Sequence, residues 1–139
     1  MELFDRAFGE LSTLELHDIM ALRVDVFVVE QACAYRDLDG RDVEPATRHI
    51  WFADEGIVAY LRVLDDGDSR RIGRVVTAPA ARGEGRAAEL VDHAVASTAG
   101  PWVLDAQSHL VDWYAARGFA IDGAEFVEDG IAHTPMRRV

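Results

Sequence analysis

The segment Arg82-Gly83-Glu84-Gly85-Arg86-Ala87 combines the residue types that bind anions. It follows an apolar stretch typical of a strand and precedes a stretch with helical spacing. A helix start has unpaired backbone N–H groups and a partial positive charge, and both attract anions. Gly83 and Gly85 let the main chain approach a phosphate because no Cβ intrudes, while Arg82 and Arg86 add forked donors. The segment therefore predicts a phosphate-binding loop.

The charge around this loop supports that prediction. Its neighbourhood contains one acid, Glu84, and five basic residues, namely Arg70, Arg71, Arg74, Arg82 and Arg86. The whole chain has a formal net charge of −11, so a locally basic stretch is expected where an anionic ligand binds. The alternative interpretation is an ordinary loop with solvated charges, because a pair of glycines alone is weak evidence.

The loop does not match the common nucleotide motifs. The chain has no lysine, which excludes a Walker A lysine, a kinase-type strand lysine and Schiff-base chemistry. The dinucleotide fingerprint is absent because its third glycine is missing and the preceding strands form a meander. A hydrolase is disfavoured because there is no Gly-x-Ser-x-Gly elbow. Cys33 is the only cysteine, and no metal site is predicted.

Bulk properties limit the partners. A chain of 139 residues corresponds to a single domain. Its acidity argues against nucleic acid and is compatible with a cationic acceptor such as an amine. The N-terminus lacks signal-peptide features, and the apolar runs are too short for a membrane span. We expect a soluble cytoplasmic protein that does not bind membranes, with a homodimer as one open alternative for its assembly.

Hydrophobic periodicity predicts the elements that position the loop. Ser12-Thr13-Leu14-Glu15 has the form of a capping box, and an amphipathic helix is predicted from Leu14 to Val29. The polar stretch Glu30 to Pro45 predicts a substrate-side loop or a short second helix. Further helices are predicted over 83–98 and 109–117. Strands are predicted over 3–8, 49–53, 57–64, 71–77, 102–106, 119–121, 124–127 and 131–137.

This order predicts an α+β fold with a mixed central sheet of about seven strands flanked by helices. A doubly wound sheet is excluded, because the strands over 49–53, 57–64 and 71–77 follow one another without intervening helices. We expect one domain over residues 1–139.

The motifs then resemble a known family. Pro79 to Ala87 is similar to the Arg/Gln-x-x-Gly-x-Gly/Ala signature of the GCN5-related N-acetyltransferases (GNAT), and the element order resembles that fold over essentially the whole chain. Further segments resemble the bacterial ElaA-like subgroup. They are Arg23 with Val26 to Gln31, Asp37 to Gly40, Arg48-His49, Ile72 to Val75, Ala106 to Leu110, and Glu128 to His133.

The resemblance implies acetyl-CoA as the cofactor. The strand residues Arg74, Val75, Val76 and Thr77 would offer main-chain groups to the pantetheine arm, which adds like an extra strand. The pyrophosphate would be held by the loop residues Arg82, Gly83, Glu84, Gly85, Arg86 and Ala87. Tyr114 falls where family members carry a tyrosine beside the thioester sulfur, so it is the candidate acid for the leaving thiolate. The alternative for Tyr114 is a core aromatic beside Trp113.

The general base is less defined. Many relatives place a glutamate on the cofactor-binding strand, whereas this chain has Arg74 there. The candidates are therefore Glu30, His49 and His109, acting directly or through a water, although each has an alternative structural role. His17 and His93 are expected to be surface residues without a metal partner.

An acceptor pocket is expected near the end of the first helix. Its candidate substrate-binding residues are Phe27, Glu30, Tyr35 and Asp39, with Asp37 and Asp42 nearby. The alternative is a solvated loop with turn-forming aspartates.

The leading functional hypothesis is an N-acetyltransferase that transfers an acetyl group from acetyl-CoA to a primary amine by direct attack in a ternary complex. The alternative is an acyl-CoA sensor with little catalysis.

Overall fold

The computed structural model describes residues 1–139 and forms one mixed sheet with helices on both faces. The three α-helices are α1 (Thr13–Arg23), α2 (Arg86–Ser97) and α3 (Val111–Ala115). The eight strands are β1 (Glu2–Ala7), β2 (Arg48–Ala53), β3 (Ile57–Asp65), β4 (Arg70–Thr77), β5 (Trp102–Gln107), β6 (Ala120–Ile121), β7 (Phe126–Glu128) and β8 (Ile131–Arg138). The predicted α+β fold with a mixed sheet is confirmed.

The sheet order is β1-β2-β3-β4-β5-β8-β6, and β7 pairs with β8. All neighbouring strands are antiparallel except β4 and β5, which are parallel. The β2–β3–β4 meander is the predicted run of strands without intervening helices. α2 then makes the crossover that a parallel strand pair requires. None of the helices is both long and apolar enough to cross a membrane.

The first helix begins as predicted and ends differently. The Ser12 hydroxyl accepts a hydrogen bond from the Glu15 N–H at 3.0 Å, and the Glu15 carboxylate accepts one from the Ser12 N–H at 2.9 Å. The α-helix stops at Arg23, however, and the chain continues as a π-helical segment, Val24–Glu30. Valines make up much of this segment, and β-branched side chains crowd the preceding turn of an α-helix. Periodicity did not reveal this change of winding.

Other boundaries move by a few residues. Gly85 is the N-cap of α2 at a φ of +77°, so this helix begins at Arg86 rather than at residue 83. α3 is a short helix preceded by a 3-10 turn, Ser108–Leu110. The polar stretch after Glu30 forms turns, not the short second helix that was one of its two predicted alternatives.

Each face of the sheet has its own core. The larger core lies under α2 and α3 and includes Ile72, Leu90, Leu104, Tyr114 and Met136. The smaller core lies under α1 and the π-helical segment and consists of Ile19, Val26, Trp51, Tyr60 and Val76. The sheet therefore separates two layers, and any opening in it connects them.

Candidate active site

β4 and β5 separate soon after they begin. Their register contains only two pairs, Arg70 with Trp102 and Arg71 with Val103. β4 also contains a bulge, because Tyr60 and Arg62 of β3 pair with Val76 and Gly73 respectively. The main chain of β4 beyond Arg71 is thus paired with β3 on one side and open on the other. An extended ligand is expected to pair with this free edge as an added strand.

The gap opens into two adjoining cavities. One has a volume of about 800 Å³ and extends towards the π-helical segment and the β7–β8 turn. The other has a volume of about 630 Å³ and extends along the phosphate loop to Trp113. Both are lined by the end of β4 together with Arg82, His109 and Tyr114. The two cavities form one continuous cleft.

The predicted phosphate loop forms one wall of the smaller cavity. Gly83 and Gly85 have φ angles of +84° and +77°, which glycine adopts at little cost. No atom lies within 4 Å of the position that a Cβ would take at either residue, so this backbone is open to a ligand. Arg82, Arg86 and Ala87 also line the cavity, whereas Glu84 is exposed and does not.

The surrounding arginines already have carboxylate partners. Arg70 pairs with Asp65 at 3.8 Å, Arg71 with Asp66 at 2.9 Å, and Arg86 with Glu89 at 3.1 Å. Arg74 pairs with Asp37 at 3.0 Å, and Arg82 pairs with Glu30 at 2.7 Å. The locally basic sequence is therefore largely neutralised by acids that lie outside residues 70–86. Only Arg82 and Arg86 lie at the loop itself.

Tyr114 lies where both cavities meet. Its side chain is 6% exposed and packs edge-on against Trp113 and Phe119. Burial raises the pKa of Tyr114 to about 12, so its hydroxyl stays protonated at neutral pH. Tyr114 is thus a core aromatic beside Trp113, as one of its two alternatives has it, and it also lines the cleft, which the role of acid requires.

A buried ionic network holds the loop between Glu30 and β2. The Arg23 side chain is completely buried and bonds Asp37 at 3.0 Å and Asp42 at 2.6 Å. Arg62 bonds Asp39 at 2.9 Å and Asp42 at 3.2 Å. Burial opposes ionisation of Asp39 and Asp42, but the arginine hydrogen bonds outweigh it and lower the pKa of both carboxyls. These aspartates are ionised and already paired.

The network changes the interpretation of the candidate acceptor residues. Phe27, Glu30, Tyr35 and Asp39 all line the larger cavity. The Tyr35 hydroxyl donates to Asp37 at 2.5 Å, and Asp39 is bound by Arg62. The aspartates are therefore neither a free cation site nor a solvated loop. Their charges instead shape one wall of the cleft.

The three base candidates occupy different environments. His49 is fully buried and outside the cleft; its Nε2 donates to the Asp42 carbonyl at 3.0 Å, and its Nδ1 accepts from the Tyr60 hydroxyl at 2.7 Å. The structure does not bring His49 to the other candidates. Glu30 lines the larger cavity but is paired with Arg82. His109 is exposed and lines both cavities.

Of the two histidines expected at the surface, His17 is exposed on α1. His93 is half-buried and lies 2.9 Å from Asp5, a partner that the sequence did not predict. A fifth histidine, His133, lines the larger cavity. It belongs to the segment Glu128 to His133, which resembles the ElaA-like subgroup, but no local pattern indicated that it would reach the cleft.

Comparison with known proteins agrees with this geometry. The acetyltransferase (GNAT) domain family matches residues 15–139. A UPF0039 protein of Mycobacterium tuberculosis is 43% identical over 93% of this chain and 87% of its own length. Protein ElaA of Escherichia coli is 39% identical over 99% of this chain and 96% of its own length.

Solved structures extend the comparison. The crystal structure of Escherichia coli ElaA superposes with a TM-score of 0.92 at 37% identity and covers 99% of each chain. An acyl-CoA N-acyltransferase from Pseudomonas aeruginosa superposes with a TM-score of 0.94 at 34% identity, over 100% of both chains. The cleft between β4 and β5 thus lies in a fold shared with a protein named as an acyl-CoA N-acyltransferase. The chain belongs to the GNAT acetyltransferase family, as its resemblance to ElaA-like proteins predicted.

Proposed function

We propose that this protein transfers an acetyl group from acetyl-CoA to a primary amine by direct attack in a ternary complex. The observation that carries the proposal is the open edge of β4, which ends at the phosphate loop and the start of α2. A ligand with an amide-rich arm and an anionic end has matching groups along this path. Membership of the GNAT family and the likeness to an acyl-CoA N-acyltransferase support the same ligand class.

The residues of the cleft fit coenzyme A in two ways. The main chain of Arg74, Val75, Val76 and Thr77 would pair with the pantetheine arm. The pyrophosphate would lie against the N–H groups of residues 83–87, where the glycines leave room, with Arg82 and Arg86 as charged donors. Glu84 lies outside the cavity, and any contribution it makes is through its main chain.

When bound, acetyl-CoA supplies the activated acyl group. We assign polarisation of its carbonyl to an unpaired N–H of β4, a preorganised donor of the kind that stabilises developing negative charge. Tyr114 is the proton donor to the departing thiolate, because its raised pKa keeps the hydroxyl protonated. Phe27, Glu30 and Tyr35 form the acceptor side, with Asp39 orienting that wall through Arg62.

One observation favours the alternative, a sensor that binds acyl-CoA with little catalysis. β4 carries no carboxylate beside the gap, and the side chain of Arg74 is committed to Asp37 and Asp39. A sensor needs the cofactor contacts but neither an acid nor a base.

Two measurements test the proposal. Calorimetric titration with acetyl-CoA should give saturable binding, and thiol release from acetyl-CoA should accelerate in the presence of at least one amine from a panel of polyamines, amino acids and peptides. Mass spectrometry should then find that amine one acetyl group heavier. Binding without acceleration by any amine would favour the sensor, and no binding at millimolar acetyl-CoA would reject both functions.

A further inference from the structure

The two faces of the sheet present different side chains to the gap. Residues alternate between faces along a strand. Leu104 and Ala106 of β5 pack in the larger core with Tyr114, so Asp105 and Gln107 face the opposite side. His133 of β8 lies directly across from Gln107 in the register and therefore shares its face. Tyr114 and His133 thus approach the gap from opposite faces.

The face that carries His133 is also the one that carries the candidate acceptor residues. Arg62 and Tyr60 of β3 lie on it, beneath α1 and the π-helical segment. The Cys33 thiol, just after that segment, contacts the Asp129 carbonyl at 3.5 Å and joins it to the β7–β8 turn. An acceptor that enters the larger cavity therefore meets His133, while a leaving group on the other face meets Tyr114.

The tautomer of His133 is determined by its own strand. Its Nδ1 lies 2.8 Å from the Ile131 carbonyl oxygen. A carbonyl only accepts hydrogen bonds, so Nδ1 carries the proton and Nε2 of the neutral ring has a free lone pair. Nε2 has no hydrogen-bond partner in the protein, and the side chain lines the larger cavity. The ring stacks on Phe126 at 5.6 Å between centroids with an interplanar angle of 20°, which restrains its orientation.

We infer that His133 is the catalytic general base that removes the proton from the attacking amine. The inference rests on the proposed transfer to an amine and supplies the group missing from β4. The amine nitrogen bonds to the acyl carbon as the carbon–sulfur bond breaks; the nitrogen gives one proton to Nε2 of His133, and the sulfur receives the hydroxyl proton of Tyr114. Solvent then takes the proton from His133 and returns one to Tyr114.

The other titratable groups around this cavity are less suited to the task. Asp105 is paired with Arg71 at 3.3 Å, and Glu30 with Arg82 at 2.7 Å. The Cys33 thiol donates to the Asp129 carbonyl. The Glu128 and Asp129 side chains also line the cavity, but they are exposed and make no hydrogen bond that restrains them. His109 lines the cavity but has no hydrogen bond that selects a tautomer or restrains its ring. His133 combines access, a free lone pair and a restrained orientation.

Two variants separate the base from a structural role. His133→Asn can keep a donor to the Ile131 carbonyl, because the asparagine amide occupies the position of Nδ1, and it removes Nε2. His133→Gln places a side-chain amide near the position of Nε2, and an amide cannot act as a base. Both should bind acetyl-CoA like the wild type and lose about 10²-fold or more in kcat/KM with an amine. The controls are His17→Asn, which changes an exposed histidine outside the cleft, and His109→Asn, which tests the competing base.

The pH profile supplies a second readout. The quantity to plot against pH is the kcat/KM of the wild type divided by that of His133→Gln. Protonation of the amine affects both enzymes equally, so it cancels in this ratio. This ratio should fall on acidification, because an imidazole whose Nε2 already carries a proton cannot accept another. A flat ratio, or a full-sized loss in His109→Asn instead, would overturn the assignment. If the wild type itself turns over no amine, the proposed function fails rather than the choice of base.

A third measurement does not depend on turnover. In ¹⁵N-correlated NMR spectra of the protein without ligand, the signal lost in His133→Asn should have the Nδ1–H tautomer pattern. An Nε2–H pattern for that signal would contradict the free lone pair and with it the proposal.

Discussion

Nη2 of Arg82 lies 2.7 Å from Oε2 of Glu30, joining the phosphate loop to the end of the π-helical segment. Both side chains are about half exposed, at 45% and 44%, and both line the larger cavity. The arginine predicted to hold the pyrophosphate is thus paired with a carboxylate that we assign to the proposed acceptor side. An anion that binds Arg82 at the loop would therefore compete with Glu30 for this guanidinium.

Replacing Arg82 tests the phosphate loop. Arg82→Ala should weaken acetyl-CoA binding about tenfold or more in calorimetry, since a charge-assisted hydrogen bond contributes about 1.5–3 kcal/mol. Arg137→Ala, which removes the same charge from an exposed position on β8, is the matched control and should bind normally. Equal affinities in the two variants would exclude Arg82 from the cofactor site.

Replacing Glu30, the partner of Arg82, should have the opposite effect on acetyl-CoA affinity. Glu30→Gln frees Arg82 for the pyrophosphate, so acetyl-CoA affinity should stay the same or rise, by no more than about fivefold because exposed pairs contribute little. Weaker binding in Glu30→Gln, measured by the same titration, would show that the ion pair positions the loop rather than competes with the ligand.

Tyr114→Phe removes the hydroxyl and keeps the ring that packs against Trp113 and Phe119. We expect kcat to fall about 10²-fold, with acetyl-CoA affinity little changed. Because the pKa of Tyr114 is raised to about 12, wild-type kcat should show no decline from deprotonation of this group between pH 7 and 10. Unchanged turnover in the variant would remove the acid from the mechanism.

Asp42→Asn tests the buried network. Breaking one side of a buried ion pair costs about 3–5 kcal/mol, so urea unfolding at pH 7 should show a loss of that order. The pKa of Asp42 is lowered in the folded state, so its contribution is present above about pH 4 and disappears as pH falls further. The free energy of unfolding of the variant should therefore fall less on acidification. Asp68→Asn, in an exposed turn, should match the wild type.

His49→Gln tests whether the buried histidine is structural. Burial lowers the pKa of His49, so below about pH 6.5 the unfolded chain takes up a proton more readily than the folded protein. Wild-type stability should thus decrease as pH falls from 6.5 to 5, and this slope should be smaller in His49→Gln. The exposed His17→Gln should keep the wild-type slope.

Turnover separates the two roles of His49. Folded His49→Gln should retain its activity with an amine, because the ring lies outside the cleft and both its nitrogens are bonded. A loss of about 10²-fold in kcat/KM, as expected for removal of the general base, would show that His49 is again a candidate for that role.

Much of the fold could be predicted because its signals are local. The capping box at Ser12 and Glu15, the alternation in the strands, and the glycines before α2 act through neighbouring backbone groups. The motifs that identify the family also lie in short segments. These features follow from short-range sterics and hydrogen bonding, so they are readable one segment at a time.

The partners of the charged and polar side chains were decided only by the tertiary structure. Arg82 and Glu30 are 52 residues apart, and Cys33 and Asp129 are 96 apart. No local pattern indicates that Arg23 would be buried among aspartates or that His49 would be enclosed. The separation of β4 from β5, which makes the cleft and brings Tyr114 and His133 to its two faces, depends on how distant strands pair. The sequence alone determined which groups are available for chemistry, and packing decided which of them meet.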